Sequence, residues 1–323
     1  MKAIVQDVYG PADVLELRDV DRPAIGEEEV LVEVRAAGVD PGVWVLMTGT
    51  PYLARPMFGL RRPKVAVRGR DMAGVVAAVG SRVTGFAPGD EVYGTCESGS
   101  YAEYATARHT RLAPKPAGLS FEQAAVVPIS GGTALQAIRT ADVRPGQRVM
   151  VVGAGGGVGS FAVQIATAAG ARVTAVCGPG SADLVRSLGA VDVIDYTREE
   201  VDRDGPHHDA IIDLAGCRPL RLLRRALTRR GALVLVGGGH VSRRVLGGMD
   251  RPLRAQLIGP FTGHRMRGLI VLERAERYRE LTELIESGTV RPVVDRVYPL
   301  AEAPEAIRRL IQGQVAGKIA ITI

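Results

Sequence analysis

A run of glycines in the middle of the chain has a spacing close to that of phosphate-binding turns. Residues 153–159 read Gly-Ala-Gly-Gly-Gly-Val-Gly and directly follow the apolar run 148–152. A helix start that lacks side chains lets a pyrophosphate approach the free N–H groups and the positive end of the helix dipole. Gly156 would allow that approach, and Gly159 would let the helix pack close to the preceding strand.

The segments that flank the glycines support this interpretation. Apolar residues recur at helical spacing from Val158 to Ala169, and a second β-rich run follows at 172–177. The glycines therefore lie at the first turn of a predicted strand–helix–strand unit, as in dinucleotide-binding proteins. The match is imperfect, because Ala154 stands where the pattern G-x-G-x-x-G has its first glycine.

The N-terminal part of the chain is β-rich. Short alternating runs are separated by Gly and Pro, which predicts strands and turns. The predicted strands lie at 2–5, 30–37, 74–79, 90–93 and 100–104.

From residue 122 onwards strands and helices alternate, which favours a doubly wound parallel sheet. The predicted strands lie at 148–152, 172–177, 192–195, 209–214, 232–237 and about 256–261, and the helices include 181–188, 219–229 and 273–287. The tail from Val290 returns to strand, helix and strand. We therefore predict an α/β fold in which a doubly wound domain (122–287) is inserted in a β-rich domain (1–121 and 288–323), with a cleft between them.

Composition argues against a membrane protein, a secreted protein and a disulfide-rich protein. A chain of 323 residues with 46% apolar residues favours two domains with substantial cores. No apolar stretch is long enough to predict a membrane span, and the N-terminus reads as a strand rather than a signal peptide. The three cysteines are too few for a disulfide framework, so we predict a cytoplasmic protein with free thiols.

The net charge of +6 comes mainly from arginine. Its densest run, residues 218–230, alternates arginines with leucines and alanines and predicts an amphipathic helix with a solvated basic face. A nucleic-acid surface is less favoured, because no aromatic residues are interleaved to stack on bases.

Several motifs in register resemble the medium-chain dehydrogenase/reductase superfamily, in its zinc-independent quinone-oxidoreductase branch. The motifs are 69–80 (GRDMAGVVAAVG), 86–94 (FAPGDEVYG), 99–104 (GSYAEY), Ala124-Ala125, Gly132-Thr133-Ala134, the glycine run, 188–196 (LGAVDVIDY) and 317–323 (GKIAITI). The resemblance covers nearly the whole chain. It implies a Rossmann domain inserted in a GroES-like domain, and it implies a homodimer in which the outer strand near 268–272 pairs with its copy.

The same resemblance assigns residues to a cofactor and an acceptor. Asp40, Trp44 and Tyr52 would line the substrate cleft, where Tyr52 is either a proton donor or a packed loop aromatic, and Asp40 either an acid or a turn residue before Pro41. The residues expected around the dinucleotide are Thr133, Gly156, Gly157, Val158, Ser181, Tyr196, Leu214, Gly237, Phe261 and Lys318. Thr133 is alternatively a helix N-cap, and Lys318 alternatively a surface lysine.

The resemblance also predicts that no metal is bound. Zinc-dependent members ligate the metal at places that here look like Asp40, Arg70 and about Ile129, and neither an arginine nor an isoleucine ligates zinc. Without a Lewis acid, a simple ketone loses its strongest electrophilic assistance. A quinone or an enone needs less, because the negative charge spreads through the conjugated system.

The residues at the end of the second strand of the predicted dinucleotide-binding domain indicate which cofactor is preferred. An acid that selects NAD is expected there, about 20 residues beyond the glycine turn, and Cys177-Gly178-Pro179-Gly180 stands in its place. No carboxylate would repel a 2′-phosphate, so NADPH is favoured over NADH, with Ser181, Tyr196 or Arg186 as phosphate contacts. We therefore expect a zinc-free, NADPH-preferring reductase of quinones or α,β-unsaturated carbonyls. Two alternatives are a carbonyl reductase or alcohol dehydrogenase, and a nucleotide-bound, crystallin-like protein without turnover.

Overall fold

The computed structural model describes residues 1–237, 250–269 and 274–323, without the side chains of Ala54, Asp250, Pro260 and Phe261. Two units result from the packing of this chain. Unit 1 contains residues 1–132 and 272–323, and unit 2 contains residues 133–271.

The elements of unit 1 come from both ends of the chain. The N-terminal ones are β1 (Lys2–Val5), β2 (Glu16–Asp19), β3 (Glu29–Val39), α1 (Pro41–Thr48), α2 (Arg55–Phe58), β4 (Asp71–Val79), β5 (Glu91–Thr95), β6 (Tyr104–Arg108), β7 (Leu112–Pro114) and α3 (Phe121–Ala125). The C-terminal ones are α9 (Ala275–Glu286), β14 (Val294–Pro299), α10 (Ala303–Ile311) and β15 (Lys318–Thr322).

One seven-stranded sheet holds unit 1 together. Its order is β14-β15-β3-β4-β5-β7, and β6 pairs with the other end of β3. The long strand β3 bends through two register shifts, so its Val30–Val34 half and its Ala37–Val39 half pack into different apolar clusters. The predicted return of the C-terminal tail to the β-rich part is therefore observed, because β15 pairs antiparallel with β3.

Unit 2 has the alternating order that its sequence predicts. Its elements are β8 (Arg148–Val152), α5 (Gly157–Ala168), β9 (Arg172–Cys177), α6 (Ala182–Ser187), β10 (Asp192–Asp195), β11 (His208–Asp213), α7 (Leu220–Ala226), β12 (Leu227–Leu235), α8 (Asp250–Thr262) and β13 (Arg265–Gly268). Helix α4 (Pro128–Ala141) spans the boundary between the units.

The six strands of unit 2 are all parallel, in the order β10-β9-β8-β11-β12-β13. This is the Rossmann order 3-2-1-4-5-6, in which the strand order reverses beside the first strand. The predicted fold class is confirmed. Ligands of such sheets bind outside the carboxyl ends of the strands at the reversal, here β8 and β11.

Three predicted elements were wrong in position or type. The segment 256–261 is not a strand but belongs to α8, where Pro252 fits the first turn and Gly263, with φ +73°, follows the end. The helix predicted at 219–229 stops at Ala226, because Leu227 already pairs with His208 in the sheet. The strand predicted at 100–104 lies instead at 104–108, where it pairs with β3.

The boundaries of the units differ from the predicted 121/122 and 287/288. Residues 122–132 and 272–287 belong to unit 1. Helix α9 packs on the β-rich sheet through Tyr278, whose carbonyl accepts a 2.6 Å hydrogen bond from the buried Tyr93 hydroxyl. A helical periodicity alone does not show against which sheet a helix packs, so the sequence placed these helices with the wrong neighbours.

Candidate functional site

The glycine turn, residues 153–157, joins β8 to α5 with little room for side chains. Gly153 has φ +86°, and the amides of Gly153 and Ala154 both donate to the Val176 carbonyl, at 2.9 and 3.0 Å. A Cβ on Gly159 would lie 2.2 Å from the Gly153 carbonyl oxygen. Glycine at 159 therefore lets α5 begin against the turn, and Gly153 supplies the left-handed residue that Ala154 could not.

The start of α5 is open where a phosphate would approach. Gly156 is its N-cap and offers no side-chain hydrogen bond to the first turn, which begins with Gly157 and Val158. A Cβ on Gly156 would meet only the Gly153 carbonyl oxygen, at 3.5 Å. An uncapped helix start beside open space fits an anion held by backbone N–H groups.

Two predicted cofactor residues lie beside this turn. The Ser181 side chain packs so closely on Gly155 that a Cβ there would come within 2.5 Å of its Cβ and Oγ. Tyr196 follows β10, and its hydroxyl lies 3.4 Å from the position of a Cβ on Gly178, the residue after β9. The structure thus brings Ser181 and Tyr196 together with the carboxyl ends of β8 and β9.

No carboxylate ends β9. The strand finishes at the buried Cys177, and Gly178 to Ser181 continue the chain. Arg186, one of the suggested phosphate contacts, forms an exposed ion pair with Asp183 at 3.1 Å. The Tyr196 backbone is held from another side, because Arg218 donates to its carbonyl oxygen at 3.0 Å.

Leu214 and Gly237 meet at the carboxyl ends of β11 and β12. The Leu214 carbonyl oxygen would be 2.0 Å from a Cβ on Gly237, so only glycine fits there. The preceding Asp213 is fully buried and accepts from the Gly216 amide and from Arg251, at 2.9 and 2.8 Å. Burial raises the pKa of Asp213, and Arg251 opposes that rise. This ion pair fixes the loop after β11 and was not foreseen from the sequence.

Two further predicted cofactor residues of unit 2 lie in helices. Thr133 is buried within α4, so it is not the N-cap residue considered as its alternative. The side chain of Phe261 lies outside the described residues, and its backbone belongs to α8 rather than to a strand end.

In unit 1, sheet register gathers three charged residues at one place. Strand β3 ends before Asp40, β4 begins with Asp71, and β15 begins with Lys318, while Ile319 pairs with Val39 and Ala37 with Met72. Lys318 is 3% exposed, and its Nζ lies 3.7 Å from Oδ2 of the fully buried Asp71. Lys318 is therefore not a surface lysine.

Asp71 has a strongly shifted pKa within this cluster. Burial raises its pKa to about 8, and Asp40 adds to the rise. Lys318, the Ile129 amide and Arg70 act in the opposite direction. The Ile129 N–H donates to Oδ1 of Asp71 at 3.0 Å.

The predicted catalytic residues occupy different environments. Asp40 caps α1, since its Oδ1 accepts from the Gly42 amide at 2.7 Å, as the turn interpretation expects. Trp44 packs against the apolar cluster around α10, and its Nε1 is buried without a described hydrogen-bond partner. Tyr52 is 42% exposed, with the Arg55 guanidinium 4.5 Å from its ring centre.

A pocket of about 530 Å³ lies in unit 1 beside these residues. Its apolar side chains come from α1, α2 and the loop before β4, among them Val43, Phe58 and Val67. Arg68 and Arg70 line it too, whereas Tyr52 does not. Burial raises the pKa of the lining Cys96 thiol to about 12, so it is not a thiolate nucleophile.

Comparisons with known proteins indicate the same family over nearly the whole chain. Residues 26–117 match the family model "Alcohol dehydrogenase GroES-like domain", and residues 188–321 match "Zinc-binding dehydrogenase". The chain is 31% identical to the chloroplastic quinone-oxidoreductase QR1 of Triphysaria versicolor, over 99% of this chain and 98% of that protein. The chain belongs to the medium-chain dehydrogenase/reductase superfamily. Within this superfamily it is similar to quinone oxidoreductases, and it is an oxidoreductase.

Two other members of the superfamily extend the comparison. The NADPH-dependent alkenal/one oxidoreductase of Arabidopsis thaliana is 31% identical over 99% of this chain and 79% of that protein. The solved quinone oxidoreductase of Coxiella burnetii superposes with a TM-score of 0.86 at 30% identity, covering 100% of this chain and 99% of that one.

The residues at the places where the resemblance puts the ligands of zinc-dependent members do not suit a zinc ion as a set. One carboxylate oxygen of Asp40 caps α1, Arg70 is a cation, and Ile129 has no ligating side chain, while its backbone N–H donates to Asp71. Zinc requires thiolate, imidazole or carboxylate ligands. Across the described ranges, no group of three or more His, Cys, Asp or Glu side chains is placed to hold a metal.

Proposed function

We propose that this protein is a metal-independent reductase that uses NADPH to reduce quinones or α,β-unsaturated carbonyl compounds. The observation that carries the proposal is the combination of an open glycine turn with the absence of zinc-ligating side chains at Arg70 and Ile129. Similarity to a quinone oxidoreductase and to an alkenal/one oxidoreductase supports the same class of acceptor.

The cofactor seat consists of backbone and small side chains. Gly156, Gly157 and Val158 hold the pyrophosphate at the start of α5, and Ser181 and Tyr196 lie at the adenosine end. Without an acid after Cys177, a 2′-phosphate meets no fixed negative charge there. Thr133, Leu214, Gly237, Phe261 and Lys318 stay proposed cofactor contacts.

When bound, reduced nicotinamide supplies the hydride. The protein then has to orient the acceptor, keep water away and stabilise negative charge that develops on the acceptor oxygen. The pocket in unit 1 provides an apolar wall for the acceptor, and Arg70 in its lining provides a cation for the oxygen. After hydride transfer, a proton from solvent completes the reduction in this proposal, because Tyr52 does not line the pocket.

The test is oxidation of NADPH and NADH with a panel of quinones, enones and saturated ketones, before and after chelation. We expect quinone or enone reduction that prefers NADPH and survives chelation. Turnover of saturated ketones alone, or activity lost to a chelator and restored by zinc, would support a carbonyl reductase or alcohol dehydrogenase instead. Tight NADPH binding without turnover of any acceptor would indicate a crystallin-like binding protein.

A further inference from the structure

Arg68 lines the pocket of unit 1 and has no carboxylate partner among the described residues. Arg68 is 4% exposed, and its Nε is buried without a hydrogen-bond partner among the described residues. Its backbone is fixed on both sides, because its amide donates to the Ile4 carbonyl and its carbonyl accepts from the Tyr101 amide, at 3.1 and 2.9 Å. These bonds fix the backbone from which the buried Arg68 side chain extends along the lining of the pocket.

The surroundings of Arg68 do not neutralise it. Burial lowers the pKa of Arg68 to about 10, and the groups that oppose this are the phenols of Tyr9 and Tyr101, not a carboxylate. An unpaired buried charge destabilises the folded state, so proteins normally supply it with a counter-ion. Here the chain supplies none within the described residues.

The pocket as a whole has an excess of positive charge. Lys64, Arg70 and Arg111 also line it, and Glu97 is the acidic residue in the lining. Glu97 is already engaged, since Arg111 lies 3.1 Å from its carboxylate. Walls of low polarity next to these cations strengthen their attraction for an anion.

We propose that the pocket binds acceptors that carry a carboxylate, and that Arg68 pairs with this carboxylate while the apolar wall holds the acceptor's carbon skeleton. This inference rests on the proposed function for the identity of the reacting group, and it adds the charge of the substrate. A guanidinium suits this role because two of its five N–H donors can bond the two oxygens of a carboxylate in parallel.

The kinetic test uses a matched pair of enones, trans-3-benzoylacrylate and its methyl ester. In the Arg68→Met variant, kcat/KM for the acid should fall about 10- to 100-fold, the range for a lost hydrogen bond to a charged group. The ester should change by less than about threefold, because methionine keeps most of the unbranched stem of the arginine and removes only the charged end group. Equal losses for both substrates, or no loss for the acid, would overturn the proposal.

A matched control removes the same charge elsewhere in unit 1. Arg82 is exposed, pairs with Glu27 at 3.1 Å and does not line the pocket. Arg82→Met should leave both substrates unchanged. Circular dichroism checks that Arg68→Met folds. If it does not, Arg68→Lys keeps the charge but loses the two-pronged geometry, and it should show a smaller loss that is again confined to the acid.

A binding measurement separates this inference from the proposed reaction. The saturated acid 3-benzoylpropanoate, titrated by calorimetry in the presence of saturating NADP⁺, should bind more tightly than its methyl ester and should lose that advantage in Arg68→Met. The same titration without NADP⁺ is the reference. If the acid binds the free protein but not the protein saturated with NADP⁺, the anion site belongs to a cofactor phosphate and the substrate assignment is overturned. If wild type reduces neither enone, the proposed function fails, while these binding results still decide the role of Arg68.

Discussion

Asp71 sits where three strand ends of unit 1 meet and where water is excluded. Its carboxyl is fully buried beside Lys318, with the Asp40 carboxylate also nearby. Burial dominates over the attraction of Lys318, so the pKa of Asp71 rises to about 8 and the carboxyl is largely neutral at pH 7. A neutral Asp71 avoids the desolvation cost of a buried carboxylate. Its Oδ1 accepts the Ile129 N–H, whereas its Oδ2 has no hydrogen-bond partner among the described residues.

This raised pKa predicts a pH dependence of stability. The unfolded Asp71 releases its proton near pH 4, whereas the folded one keeps it up to about pH 8, so the native state binds more protons between these values. The contribution of Asp71 to the free energy of unfolding therefore decreases as pH rises from 4 to 8, by up to about 1.4 kcal/mol per pH unit. Urea unfolding at several pH values should show that this slope disappears in Asp71→Asn. Asp19→Asn, an exposed carboxylate paired with Lys2, should keep the slope, and an unchanged slope in Asp71→Asn contradicts the assignment.

The residue after β9 should determine which cofactor binds. Gly178→Asp would place a carboxylate beside Tyr196, at the adenosine end of the proposed seat. Repulsion of a 2′-phosphate by a nearby like charge is worth about 1–4 kcal/mol, so NADPH affinity should fall at least about fivefold while NADH affinity is retained. Titration of the quenching of protein fluorescence measures both dissociation constants. Gly178→Asn is the neutral control, and equal losses in the two variants would show that size rather than charge matters.

The sequence predicted the phosphate-binding turn but not which charged side chains are buried. The spacing of Gly156 and Gly159 depends only on neighbouring residues, and the turn and the start of α5 have the predicted open and close-packed positions. Lys318 and Asp71 are distant in sequence, and their contact depends on the registers of β15 and β4 against β3. No local pattern marks Arg68 as unpaired either, because its surroundings come from several loops.

At the scale of elements, the junction of β8 and α5 is the part most closely specified by sequence. Strands β8, β9 and β10 have the predicted bounds. Their apolar runs end in glycines or polar residues, so local signals and tertiary pairing agree. The strand prediction for 256–261 was wrong because a short apolar run is compatible with either a strand or a helix. The helical spacing of Leu253 and Leu257 becomes visible only in a window that starts at Asp250, where α8 begins.

A side chain at Gly156 should block the cofactor without unfolding unit 2. Its Cβ would have only an ordinary contact with the Gly153 carbonyl, and its φ of −84° suits any residue. Gly156→Val should therefore fold normally and lose NADPH binding at least about 100-fold, because the branched side chain occupies the approach to the N–H groups. Gly118→Val, at another open glycine, is the control for β-branching and should bind normally. Normal affinity in a folded Gly156→Val would place the cofactor elsewhere.

For the whole molecule, the connectivity couples the two ends of the chain. Strand β15, the last strand, lies between β14 and β3 inside the sheet of unit 1, while unit 2 lies between them in sequence. Unit 1 cannot complete its sheet until the whole chain is present.

None of the described helices is long and apolar enough to cross a membrane. The location in the cytoplasm remains a prediction, and so does the absence of nucleic-acid partners. Two arginines of the basic run 218–230 already form ion pairs, Arg218 with Glu200 and Arg225 with Asp202, which supports the second prediction.

The assembly of the molecule should depend on the outer strand of unit 2. Strand β13 is at one edge of the six-stranded sheet and β10 at the other, and unpaired edges of parallel sheets invite pairing. Residues 270–272 of the predicted interface lie outside the described residues, so Leu269, which follows β13 and donates its amide to Leu235, is the position to change. Light scattering at micromolar concentration should give a dimer for wild type and a monomer for Leu269→Lys, since edge charges oppose strand pairing. Val191→Lys adds the same charge beside β10 and should remain a dimer. A monomeric wild type, or dissociation caused by Val191→Lys instead, would contradict a dimer built on β13.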